Sequence, residues 1–111
     1  MEARLKTGIW VKALIRRCDL AATAVAVVAR GDADAGAILL KFNSREGGCF
    51  VLVQARGRDG ELLWMRATGP APVAEAEADT YIERQRRRDP DLWVVEIESG
   101  SAEALIDGWI A

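Results

Sequence analysis

The sequence predicts an α+β fold: a mostly antiparallel sheet of about five strands with helices packed on it, in the order α-β-β-β-β-α-β-α. Strand-like segments are grouped between helical ones instead of alternating regularly with them, which is typical of this class. An Asp-Gly turn signal between two of the strands indicates an antiparallel hairpin. The length of 111 residues suits one domain, so residues 1–111 are assigned to a single α+β domain.

The first helix is expected to begin just after Thr7, whose side chain can cap it. Trp10, Leu14 and Cys18 recur every fourth residue and form one apolar face. Arg17 borders that face. Its aliphatic stem can lie on apolar surface with the charge in water, or its guanidinium can meet an internal carboxylate or a bound anion.

Residues 24–29 are small or β-branched, which predicts a buried first strand. The segment 30–36 contains two glycines and two aspartates, as turns do. Asp32 and Asp34, two positions apart, also resemble the start of a calcium loop. Because the central glycine, the third oxygen ligand and the distal glutamate of such a loop are missing, a turn is predicted instead.

Three further strands are predicted at residues 37–42, 49–56 and 61–67, and together they should form an antiparallel meander. The last two are joined by the turn 57–60, which ends in Asp-Gly. Trp64, on the fourth strand, can either fill the core or serve as an exposed anchor for a partner.

A second helix is predicted at residues 73–87, with acidic side chains in its first half and basic ones in its second, which suits the helix dipole. Pro90 cannot continue that helix. The fifth strand follows at residues 92–98. A last helix is expected to start at Ser101 and to turn Trp109 inward.

The composition excludes several functional classes. The net charge of −2 disfavours both nucleic-acid binding and a polybasic membrane anchor. The chain contains no histidine, so Ser-His-Asp and Cys-His sites cannot form within it. Cys18 and Cys49 match no metal or redox spacing and are expected to be buried thiols, with a disulfide as the minor alternative. No cofactor is predicted.

The longest uncharged apolar run, residues 20–29, is far short of the roughly 18 residues that a membrane-spanning helix requires. We therefore expect no contact with a membrane and a cytoplasmic location.

The sequence Arg-Asp-Pro-Asp-Leu-Trp at residues 88–93, together with Trp10-Val11 and Arg30-Gly31-Asp32, resembles a small alphaproteobacterial family that is defined as a domain of unknown function. The resemblance covers essentially the whole chain. It implies a bacterial cytoplasmic protein of this length and implies no substrate or activity.

Charged residues around the proline break are the first candidate site. Arg88 ends a run of arginines that could bind phosphate or another anion, although such runs are also typical of solvated helix ends. Asp89 and Asp91 flank Pro90 and could line a cleft, or could accept hydrogen bonds from nearby backbone N–H groups.

Glu96 is the second candidate, because it alternates with Trp93, Val95 and Ile97 and must lie on the opposite face of the sheet. If that face is covered, the carboxylate needs a cationic partner, for which the arginines at positions 16, 17, 56 and 66 are available. A buried carboxylate could also act as an acid or a base.

The sequence thus favours a non-enzymatic, cytoplasmic protein- or small-anion-binding module, acting near the proline break on an unknown protein partner or by self-association. The alternative is a carboxylate- and metal-dependent enzyme, similar to a degenerate nuclease, that uses Glu96 with Asp32 or Asp34. The candidate binding residues are Arg17, Asp32, Trp64, Arg88, Asp89, Asp91 and Glu96.

Overall fold

A twisted layer of six strands with one helix on each face makes up the described part of the protein. The computed structural model describes residues 6–56, 58, 62–101, 105–106 and 109–110. The elements are α1 (Thr7–Leu20), β1 (Val25–Ala29), β2 (Ile38–Ser44), β3 (Gly48–Arg56), β4 (Leu62–Arg66), α2 (Glu75–Arg88), β5 (Trp93–Ile97) and β6 (Trp109–Ile110).

The sheet has the strand order β1-β5-β2-β3-β4-β6. β2, β3 and β4 form the antiparallel meander that the sequence predicts. The chain then crosses over through α2, and β5 enters between β1 and β2, antiparallel to the former and parallel to the latter. The α+β class and the mostly antiparallel sheet are therefore confirmed.

Each face of the sheet buries its own apolar core. Because side chains alternate along a strand, neighbouring residues of one strand serve different cores. On one face, α1 packs its buried side chains Val11, Leu14 and Cys18 against Leu40, Phe42, Leu52, Trp64, Val95 and Ile97. On the other face, α2 packs Ala78 and Ile82 against Leu39, Cys49, Val51 and Val94.

The prediction of a last helix is wrong for those of its residues that the structure describes. Trp109 and Ile110 form the short strand β6, which pairs parallel to β4 at Leu63 and Trp64. Leu105 and Ile106 are buried but not helical. The unpaired edge of β4 offers backbone hydrogen bonds to this segment, and a helical spacing of apolar residues does not reveal such a long-range partner. The rest of the predicted helix lies outside the described residues.

The prediction that the first strand is buried is also wrong. β1 lies at the edge of the sheet, and the side chains of Val27 and Val28 are 41% and 53% exposed. Small and β-branched residues correctly indicate a strand, but they do not determine whether it lies at the centre or at the edge. β5 separates β1 from the central strands β2 and β3.

α1 is capped by a loop and not by the side chain of Thr7. The helix begins at Thr7, and Lys6, its N-cap residue, makes no capping side-chain bond. The Thr7 hydroxyl donates to the carbonyl of Gly36 at 2.8 Å, and the Thr7 N–H donates to the carbonyl of Asp34 at 3.3 Å. The turn between β1 and β2 thereby holds the start of α1 in place.

Both cysteines are free and buried, as the sequence predicts. Of the helices that the described residues form, none is long and apolar enough to span a bilayer.

Candidate functional site

A cleft of about 310 Å³ lies where the end of α2 approaches the end of β1. Three guanidinium groups and two carboxylates contribute to its wall. The lining residues are Ala29, Arg30, Glu83, Arg86, Arg87, Asp89, Pro90 and Leu92.

The arginines of the cleft come from two elements. Arg86 and Arg87 belong to the last turn of α2, where their positive charges interact favourably with the negative end of the helix dipole. Arg30 directly follows β1, and its guanidinium carbon lies 5.6 Å from the centre of the Trp93 ring, within the range of a cation–π contact. The pairing of β1 with β5 is what brings Arg30 to the end of α2.

The cleft carries an excess of positive charge. Among the described residues, Arg87 is the only arginine of the cleft that forms an ion pair, with Nε 3.9 Å from Glu83 Oε1. Both of these side chains are exposed, so this ion pair contributes little to stability. Among the residues that the structure describes, neither Arg30 nor Arg86 forms an ion pair. Guanidinium groups stay charged at physiological pH and can bind oxyanions through paired N–H groups.

The Asp-Pro-Asp segment contributes one of its carboxylates to the cleft. Asp89 is the C-cap residue of α2 in an extended conformation, and its Oδ1 accepts the N–H of Asp91 at 3.0 Å. Asp91 is exposed and lies outside the cleft, as does Arg88. Arg88 instead lies near Tyr81. Burial raises the pKa of the Tyr81 hydroxyl, and the charge of Arg88 opposes that rise.

Asp32 holds the loop between β1 and β2 together. Its Oδ2 accepts the N–H of Ala35 at 2.9 Å, and its carbonyl accepts the indole N–H of Trp93 at 2.8 Å. The Asp32 N–H in turn donates to the carbonyl of Asp91 at 3.0 Å. These contacts fix the start of β5 against the loop, and they give the Asp32 carboxylate a structural role.

Glu96 lies in a second charged cluster, around Lys41. The Lys41 side chain is buried in the middle of β2, with only 4% of the residue exposed. Its Nζ lies 2.7 Å from Glu75 Oε2, 2.7 Å from Asp79 Oδ1 and 3.4 Å from Glu96 Oε1. Asn43 Nδ2 also donates to Glu75 Oε2, at 3.3 Å. The expectation that an arginine pairs with Glu96 is therefore wrong.

The charges around Lys41 keep its ammonium group protonated. Burial lowers the pKa of Lys41, but the hydrogen bonds to Asp79 and Glu75 and the charge of Glu96 outweigh burial, so the pKa is raised above the usual value of a lysine. A lysine of this kind cannot serve as a base near neutral pH. We therefore assign the cluster to the attachment of α2 to the sheet.

The Cys49 thiol is near this cluster, and burial, as the largest effect, raises its pKa. A protonated thiol is a poor nucleophile. The sequence-based prediction of the site did not include Lys41, although Lys41 is the single charged residue in the strand Ile38–Ser44.

Trp64 is a core residue and not an exposed anchor. It is fully buried, and its ring centre lies 5.4 Å from that of Trp10. Its indole N–H finds no acceptor among the described residues. Arg17 is exposed in the last turn of α1.

The residues proposed for a metal-dependent enzyme are not brought together. Glu96 belongs to the Lys41 cluster on the α2 side of the sheet, whereas Asp32 caps the loop beside α1. The part of the chain that the structure describes has no group of three or more His, Cys, Asp or Glu side chains suited to a metal ion.

The whole chain is similar to solved structures. A crystal structure of a DUF1491 family protein from Caulobacter crescentus CB15 is 40% identical, with a TM-score of 0.87, and the match covers 97% of this chain and 100% of the other. An NMR structure of a DUF1491 family protein from the same organism is 40% identical, with a TM-score of 0.84 and 99% of each chain covered.

A third solved structure is the solution structure of protein Atu0922 from A. tumefaciens. It is 33% identical, with a TM-score of 0.81, and the match covers 96% of this chain and 95% of the other. No curated protein matches the sequence significantly. The family described as protein of unknown function DUF1491 matches residues 5–107. The chain therefore belongs to the DUF1491 family.

Proposed function

We propose that this protein binds a small anion, a molecule that carries a phosphate or carboxylate group, in the cleft at the end of α2. The observation that carries this proposal is the approach of Arg30, Arg86 and Arg87 to one concave surface. Two elements that are distant in sequence supply these side chains, so the positive charge is concentrated by the fold and not by the helix alone.

The construction of the cleft suits ligand binding. Arg30 rests on the Trp93 ring, and a side chain that is held in this way loses less conformational freedom when an anion binds. The α2 arginines extend from a helix that ends at a fixed point because Pro90 follows it. Asp89 and Glu83 on the same wall can accept hydrogen bonds from hydroxyl or amino groups of the ligand.

Isothermal titration calorimetry with inorganic pyrophosphate as the probe tests this proposal. We expect binding that weakens with rising salt concentration, and the variant Arg86→Gln should bind about tenfold more weakly or worse, because a charged hydrogen-bond donor is lost.

Arg16→Gln is the matched control, since Arg16 is an exposed helical arginine on α1, outside the cleft. It should bind pyrophosphate as the wild type does. If the wild type takes up no pyrophosphate, or if Arg86→Gln and Arg16→Gln bind equally well, the proposal is wrong.

A further inference from the structure

We propose that the outer edge of β1 binds a second copy of this chain. The two β1 strands would pair antiparallel across a two-fold axis perpendicular to the sheet, so that two six-stranded sheets form one continuous sheet. This interface ends beside the anion cleft, which Ala29 also lines, but the proposal does not depend on the function proposed for that cleft.

The edge of β1 is uncharged and exposed. Residues 20–29 contain no charged side chain, and each of them is exposed or half-exposed. Leu20 is 80% exposed, and Val27 and Val28 follow it on the strand. Soluble proteins often protect an edge strand with lysine, proline or an inward-pointing charge, and this run has none of the three. Its protection is limited to its short length and to the irregular pairing between Val27 and Ala29, so the edge can still pair with another strand.

The backbone of β1 has free hydrogen-bonding capacity. Among the described residues, β1 pairs with β5 alone and ends the strand order. Its pairing is irregular between Val27 and Ala29, so that Val28 has no partner residue on β5. Because β1 is only five residues long, the interface is small, and we expect a concentration-dependent equilibrium between monomer and dimer and not a permanent dimer.

The charges beside β1 favour a second copy over an unrelated strand. At the start of β1, Glu98 donates its N–H to the carbonyl of Ala24, and its carboxylate lies 3.7 Å from the exposed Arg45. Glu96 lies opposite Ala26 and belongs to the Lys41 cluster, where three carboxylates surround one ammonium group and leave this end with a negative charge. At the other end lies the arginine cleft, which Ala29 and Arg30 line. A two-fold axis brings the basic end of each copy toward the acidic end of the other, twice, and pairs uncharged residues in between.

Sedimentation equilibrium of the full chain over a range of concentrations tests this inference. The wild type should shift from the mass of one chain toward that of two as the concentration rises. Val28→Lys should keep the mass of one chain, since a lysine on the edge opposes pairing. Ile9→Lys is the control, because Ile9 is 52% exposed on α1, close to the 53% of Val28, and should associate as the wild type does.

Hydrogen exchange of the wild type provides a second measurement that requires no variant. Amides of β1 that do not bond to β5 should exchange more slowly as the protein concentration rises. The inference is overturned if the wild type has the mass of one chain throughout, if Val28→Lys dimerises as well as the wild type, if Ile9→Lys abolishes dimerisation, or if β1 exchange is independent of concentration.

Discussion

Lys41 shows at the residue scale how the sheet accommodates a buried charge. Its neighbours along β2 are buried apolar side chains, yet its ammonium group reaches the margin of the core, where α2 begins. Two carboxylates of α2, Glu75 and Asp79, and one of β5, Glu96, surround it there. A buried cation with several ionic partners avoids the cost of an unpaired charge and at the same time sets the position of the helix.

Replacement of Lys41 by methionine should lower the free energy of unfolding by about 1–2 kcal/mol, because three carboxylates would remain close together without their common cation, although solvent screens the half-exposed Glu75 and Asp79. Urea unfolding monitored by circular dichroism measures the change. Lys12→Met, at an exposed position of α1, is the control and should alter stability by less than about 0.5 kcal/mol. A Lys41→Met protein as stable as the wild type would show that the cluster does not hold α2.

The sequence accounts for part of this residue-scale arrangement. The alternation of Glu96 with Trp93, Val95 and Ile97 correctly separates the two faces of β5. The identity of its partner does not follow from that pattern. Lys41 reaches Glu96 because β2 and β5 pair in parallel with these two residues in register, and that pairing joins segments more than fifty positions apart.

At the element scale, local patterns identify most strands and both described helices but not the order of the strands. α1, α2 and the β2–β3–β4 meander lie within a few residues of their predicted positions. The exposed position of β1 and the strand β6 were missed, since both depend on which distant segments pair with one another. Local propensity gives no information about such pairing.

The loop between β1 and β2 gives the clearest element-scale prediction. At Gly31 an added Cβ would lie 2.1 Å from the carbonyl oxygen of Asp91, and this backbone cannot move without disturbing the start of β5. Gly31→Ala should therefore reduce stability by about 1–3 kcal/mol in a chemical denaturation experiment.

Gly8→Ala is the control for that substitution, because Gly8 contacts the same loop but would place its Cβ at 3.4 Å from the carbonyl of Ala33, an ordinary contact. It lies within α1, where alanine is favoured over glycine, so the change should be neutral or slightly stabilising. Equal effects of the two substitutions would contradict the close packing of this loop.

At the scale of the whole molecule, two distant parts of the chain meet at one corner: the end of β1, and the end of α2 with the Asp89-Pro90 that follows it. The sequence indicated this region through its run of arginines and through Asp89, which does line the cleft. It did not indicate Arg30, whose position depends on the pairing of β1 with β5. It pointed to Arg88, which lies outside the cleft on a different side of the helix.

The most direct test of an anion site at this corner is a map of backbone amide chemical shifts by NMR during titration with inorganic pyrophosphate. We expect the largest changes at Arg30, Arg86, Arg87 and Asp89, with little change in α1 or in the amides around Lys41. Shift changes that are absent from this corner, or that are spread over all exposed arginines and lysines alike, would contradict the assignment of the cleft as the functional site.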